Sequence, residues 1–152
     1  MFAQKCNTKS DGINLYLAQF LDEATLIKYS QTDYLQHNDI VINSTGTGTL
    51  GRVGLYSEND NRQDFNVIPD SHISVVRITK ELNAEIIYFW LKLKQPVLEH
   101  EGEGSTNQKE LRSEYLSNIL IPIPPLNEQR RIVEQIKTII QKLKSIEESI
   151  NN

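Results

Sequence analysis

ILIPIPPLNEQRRIVEQIKTIIQKLKSIEESINN, residues 119–152, is the stretch from which the architecture is read. Ile119, Ile121 and Ile123 alternate with Leu120 and Pro122, the period of a strand with one buried face. Pro124 and Pro125 have no amide hydrogen to give a ladder, so pairing ends there. From Leu126 the period changes. Ile132, Ile136, Ile139, Leu143, Ile146 and Ile150 follow one another at spacings of 4, 3, 4, 3 and 4, the a/d pattern of a helix with one apolar seam. Val133 and Ile140 widen that seam on one side. A helix of about three heptads is marginal alone, so the seam needs cover, either from the body of the chain or from another chain.

Upstream, the signals are mixed. Asp39–Asn43 is a short β-rich run, Arg52–Tyr56 alternates, and His72–Ile78 has strand composition. Residues 83–95 predict a helix with Asn83 as N-cap and Pro96 as its stop. Glu99–Lys109 reads as a loop and Leu111–Leu116 as a short helix. Tyr16–Leu26 suits a short helix or an extended segment. The whole is an α+β chain: a mixed globular domain over residues 1–125, then a coiled-coil helix over 126–152.

Composition narrows the function. No apolar run approaches the roughly 18 residues of a membrane span, and residues 1–20 lack the pattern of a signal peptide. Cys6 is the single cysteine; no internal disulfide is possible, and a reducing cytoplasm is the expected location. The net charge of −4 argues against an unaided, nonspecific nucleic-acid binder. It is unevenly spread: residues 1–125 hold 11 Lys/Arg against 16 Asp/Glu, and residues 126–152 hold 5 against 4. A DNA-facing surface must then be a local patch or be completed by a basic partner.

Gly46-Thr47-Gly48-Thr49-Leu50-Gly51 matches a dinucleotide-binding fingerprint letter for letter. That fingerprint needs a helix to open at the turn and hold the pyrophosphate, and Arg52–Tyr56 reads as a strand. A phosphate-binding loop needs lysine and then a hydroxyl, where this chain has Arg52 and Val53. Two readings remain: a plain tight turn, or a turn whose Ser44, Thr45, Thr47 and Thr49 hydroxyls and backbone N–H groups meet phosphates or bases, with Arg52 beside them. The stretch from Gly102 to Arg112 poses the same choice between a solvated loop and a reading loop. Asn107 and Gln108 are suited to adenine, Arg112 to guanine and Lys109 to phosphate, with Ser105 and Thr106 as further polar contacts. His37, His72 and His100 lack metal-ligand spacing. Glu99, Glu101 and Glu103 read as a solvated charge run, Cys6 has no local activator, and Phe89 and Trp90 read as core. No cofactor site is expected.

Three stretches together resemble a known family. Asp39–Val53 looks like the "gDil-s-tGt-G-v" segment of type I restriction–modification specificity (S) subunits. Gly104–Leu111 is similar to the polar loop before the family's final strand. Ile119–Val133 resembles its strand, "iPlPPl-EQ" turn and helix. The resemblance spans about residues 30–150. It implies a non-catalytic target-recognition domain that reads half of a bipartite site in double-stranded DNA. It also implies helices that pair with a second S half, or a second copy, and dock methyltransferase (M) subunits, with a restriction (R) subunit as a further partner. Cofactor binding and catalysis would belong to those partners. One recognition domain and one helix are present rather than two, and residues 1–30 correspond to material that the family places after its opening strands. The expectation is a partial specificity subunit, such as a shufflable cassette or a fragment. The alternative is an interaction module that dimerises or binds the M subunit through its helix without binding DNA. A nucleotide-using enzyme built on the glycine turn is a third and weaker reading.

Overall fold

The computed structural model describes residues 1–9, 12–61, 65–105 and 108–151. After two short 3-10 turns and a one-turn helix α1 (Glu23–Leu26), the chain enters β1 (Ile40–Asn43), β2 (Val53–Leu55) and β3 (Ile73–Val76). These form one antiparallel sheet in the order β2-β1-β3, with Ile40 opposite Leu55 and Val76. Helix α2 (Ala84–His100), hairpin β4 (Glu103–Ser105) and β5 (Gln108–Glu110), short helix α3 (Ser113–Ser117) and long helix α4 (Leu126–Ile150) complete an α+β fold.

The unbroken apolar run of β1 follows from its place at the centre of the sheet. Ile40 and Ile42 face a cluster with Leu50, Val53, Leu111 and the α2 residues Ile87, Leu91 and Leu98. Val41 faces the opposite side, among Phe2, Cys6, Leu35, Tyr56, Val67 and Ile73. A strand buried on both faces needs apolar residues at every position rather than alternate ones. Asp39, just ahead of β1, is buried, and Arg77 beyond β3 reaches it with a two-pronged bond, Nε to Oδ1 at 2.9 Å and Nη2 to Oδ2 at 2.8 Å. The same guanidinium donates to the carbonyls of Thr32 and Tyr34, clamping the segment before β1 to the sheet.

Three sequence expectations change. Pro96 does not end α2; it lies on the exposed side, and the helix runs on to His100. The Lys92 carbonyl loses its helical donor there, while burial of Leu98 in the core holds the last turn in place. The stretch 99–109 is not wholly a loop, because β4 and β5 pair from Glu103↔Glu110 to Ser105↔Gln108. The 119–123 stretch forms no strand. The alternation holds only over its first part, with Ile119 and Ile121 packed on the core and Leu120 exposed, and fails at Ile123, which is exposed as well. The stretch makes no ladder, and Pro122 and Pro124 remove donors it would need.

Helix α4 forms over the stretch that the heptad pattern marks. Gln129 and Val133 are buried, Ile132 and Ile136 half-buried, and Lys137 pairs with Glu85 of α2 at 2.6 Å. Gln129 makes the joint: its Oε1 accepts from the Asn83 amide at 3.0 Å and its Nε2 donates to the Pro124 carbonyl at 2.8 Å. Beyond Lys137 every described residue of the helix is exposed, including Ile139 at 55%, Leu143 at 59%, Ile146 at 56% and Ile150 at 77%. The body covers the first part of the seam and leaves the rest bare.

Candidate nucleic-acid interface

The glycine-rich segment is the connection of the β1–β2 hairpin. Gly51 N–H returns to the Asn43 carbonyl at 2.8 Å, and the Leu50 amide donates to Gly46 O at 3.0 Å. Gly46, Gly48 and Gly51 all have positive φ, at 110°, 73° and 74°. At Gly51 a Cβ would lie 2.6 Å from the Glu99 nitrogen, so only glycine lets the turn press against the end of α2. The strand that follows is antiparallel to β1 and no helix opens at the turn, which removes the dinucleotide reading. From the α2 side, Gln95 Oε1 accepts from Val53 N–H at 3.1 Å and Lys92 Nζ donates to Val53 O at 3.1 Å, capping the free edge of β2. Burial is the main reason that the Lys92 ammonium pKa lies below its usual value.

The two polar stretches singled out in the sequence meet in space. Ser44 N–H donates to His72 O at 2.9 Å, Ser44 O accepts from Leu111 N–H at 2.7 Å, and Thr45 bridges to Glu110. The foot of the β4–β5 hairpin also packs on the turn: a Cβ at Gly102 would lie 2.3 Å from Leu50 Cδ2 and 3.1 Å from Lys109 Cβ. Residues more than fifty positions apart thus form one corner, with the turn, the start of β3 and the hairpin side by side.

The individual side chains do not all face outward. Ser44 is buried, contributing its main chain. Arg52 donates through Nη2 to Gly48 O at 2.8 Å and through Nη1 to Asn7 O at 3.4 Å, so its guanidinium braces the turn. Thr49 leans back on the Thr45 carbonyl at 3.4 Å. Thr45 Oγ1 accepts from Gln4 Nε2 and lies 3.0 Å from His72 Nδ1. Thr47, Gly48, His72, Lys109, Glu110 and Arg112 are exposed. Ser105 and Gln108 pair across the hairpin backbone, whereas Thr106 and Asn107 lie outside the described residues.

Sequence reasoning missed Gln4, Asn7 and His72 at this corner. Asn7 is fully buried and donates to Asn43 Oδ1 at 3.1 Å and Arg52 O at 3.0 Å, while Asn43 Nδ2 donates to Gln4 O at 3.2 Å. No spacing rule marks Gln4 and Asn7, because the N-terminal segment reaches the hairpin only through the tertiary fold, and His72 lies one residue ahead of β3 with nothing in its neighbours to mark it. No group of three or more His, Cys, Asp or Glu able to hold a metal occurs among the described residues. An apolar groove of about 520 Å³ lined by Tyr16, Phe20, Phe65 and Val67 shares no residue with the corner.

A family model for the type I restriction modification DNA specificity domain matches residues 1–152, the whole chain. The chain belongs to that family. It is similar to the type I restriction enzyme EcoBI specificity subunit of Escherichia coli, 24% identical over 151 residues, covering 97% of this chain and 30% of the relative. It is also similar to a putative type I restriction enzyme specificity subunit of Haemophilus influenzae, 32% identical over 148 residues, covering 96% of this chain and 34% of the relative. The chain therefore spans about a third of the length of the curated relatives it matches. Among the described residues, no helix is long and apolar enough to cross a membrane.

Proposed function

We propose that this chain reads part of a DNA target through the corner formed by the 44–51 turn, the start of β3 and the β4–β5 hairpin, as a non-catalytic component of a cytoplasmic restriction–modification complex. The observation that carries this reading is the pair of main-chain hydrogen bonds at Ser44, whose N–H donates to His72 O and whose carbonyl accepts from Leu111 N–H, joining the two polar stretches into one surface. Thr47 and Lys109 are exposed on it. Lys109 is suited to a phosphate, and Thr106, Asn107 and Gln108 have the chemistry to meet base edges. Arg52 and Ser44 support the turn from behind.

The bare half of α4 serves assembly. Full burial of a leucine or isoleucine side chain contributes roughly 1.5–3 kcal/mol relative to leaving it exposed, and Ile139, Leu143, Ile146 and Ile150 are each more than half exposed. The seam pairs with a second copy of the chain in isolation, and with the other half of a specificity subunit and the methyltransferase in the complex. The experiment is duplex binding with and without the methyltransferase, together with sedimentation of the wild type and Ile139→Asp. DNA binding that requires an intact seam supports the reading. A wild-type chain that stays monomeric at high micromolar concentration, with an Ile139→Asp variant that still binds the methyltransferase, sinks the assembly role. Association without any duplex binding leaves only the interaction module.

A further inference from the structure

The exposed corner holds a group that its sequence neighbours do not announce. His72 lies just ahead of β3, and its carbonyl takes the Ser44 amide, fixing its backbone to the base of the glycine turn. Its own amide donates to Asp70 Oδ1 at 2.9 Å, which fixes the approach from the other side. The ring is held as well. Gln4 Nε2 is a donor and is engaged by Thr45 Oγ1, so the single hydroxyl proton of Thr45 is available for His72 Nδ1, 3.0 Å away. A ring that accepts at Nδ1 carries its proton at Nε2. The chain Gln4–Thr45–His72 thereby holds the orientation of an exposed imidazole and is compatible with the Nε2–H tautomer.

We infer that His72 is a DNA-contacting residue whose Nε2–H donates to an acceptor on the duplex, either a phosphate oxygen or the N7/O6 edge of guanine. The inference rests on the proposed role of this corner in DNA recognition. Thr45 and Gln4 then act as positioning residues, holding the His72 ring instead of touching DNA themselves. In the sequence His72 has no ligand spacing; in the fold it lies beside the Thr47 turn and the Lys109 hairpin, both assigned to DNA.

The test uses the full chain, with the methyltransferase present, and a library of duplexes carrying a randomised central stretch. Wild type, His72→Ala and His72→Gln are each taken through selection, and binding is then measured across a salt series. Removal of the ring is expected to weaken binding about tenfold, with His72→Gln recovering part of it because its amide is also a donor. Thermal midpoints should stay close to wild type, since the ring is exposed. A base contact shows as relaxed preference at one position. A phosphate contact shows as equal weakening on all sequences, with the salt slope reduced by about one. His72→Ala binding with unchanged affinity, preference and slope overturns the assignment and leaves the corner's role intact. A wild-type complex that binds no duplex overturns both.

Discussion

Gln129→Ala should loosen the joint between α4 and the globular body. The side chain is 2% exposed, and it satisfies two main-chain groups that belong to different elements, the Asn83 N–H at the start of α2 and the Pro124 carbonyl before α4. Truncation leaves both without a partner. An unsatisfied buried group costs about 1–3 kcal/mol, and both sites here are only partly enclosed, so the expected loss is about 2–3 kcal/mol. Urea unfolding followed by circular dichroism measures it. Gln129→Glu gives a second signature. A carboxylate would set an acceptor against the Pro124 carbonyl and place a charge where burial raises the pKa above the unfolded value of about 4.3. For a group raised in the folded state, stability is retained below the unfolded pKa and lost as pH rises through the folded pKa. The Gln129→Glu variant should therefore recover toward wild type as pH falls from about 7 to about 5. A loss under about 0.5 kcal/mol for Gln129→Ala, within the range of ordinary surface changes, would refute the reasoning.

Two further outcomes follow from buried groups. Arg77→Ala leaves the Asp39 carboxylate, among the described residues, with the Gln36 amide as its remaining donor; because Arg77 is itself about a third exposed, urea unfolding should register roughly 2–4 kcal/mol, below the upper figures for enclosed pairs. Arg77→Lys should restore only part, having no fork to span both oxygens and the Thr32 and Tyr34 carbonyls; full restoration would show that charge alone suffices. The Cys6 thiol is fully buried, and burial is the main reason its pKa lies above the ordinary value. Disulfide-exchange reagents, which need the thiolate, should label it at the rate of unfolding; rapid labelling of the native chain would contradict its placement.

Periodic elements were legible in the sequence because periodicity is local. Strands β1 to β3 lie within the stretches marked by β-branched residues, Asn83 caps α2 through bonds to the Glu85 and Ile86 amides, and the heptad run is helical to Ile150. The misreadings came from local rules overridden by packing. Pro96 marks a helix stop unless a later residue such as Leu98 is worth more buried than the lost hydrogen bond. Ile119, Ile121 and Ile123 mark a strand only if another strand lies beside them. The hairpin of β4 and β5 was hidden because Glu103–Glu110 is polar throughout and carries no alternation to read.

The site followed the same logic. Gly/Thr and Asn/Gln content marked two stretches that the fold brings side by side, yet composition could not say which side chains face out. Arg52 looked like a cation for DNA and is occupied by Gly48 and Asn7, while His72 looked incidental and stands at the surface of the corner. The difference lies in how each part is held. The turn is fixed from four directions: by Gln4 and Asn7, by β3, by the β4–β5 hairpin, and by the end of α2 at Gly51. Helix α4 is fixed along one short stretch, through Gln129, Val133 and the Lys137–Glu85 pair. The direction of the bare seam relative to the corner therefore depends on few contacts, of which, among the described residues, only Gln129 is both polar and buried. If the corner reads DNA and the seam sets where a partner is placed, Gln129 governs the geometry between them without touching either.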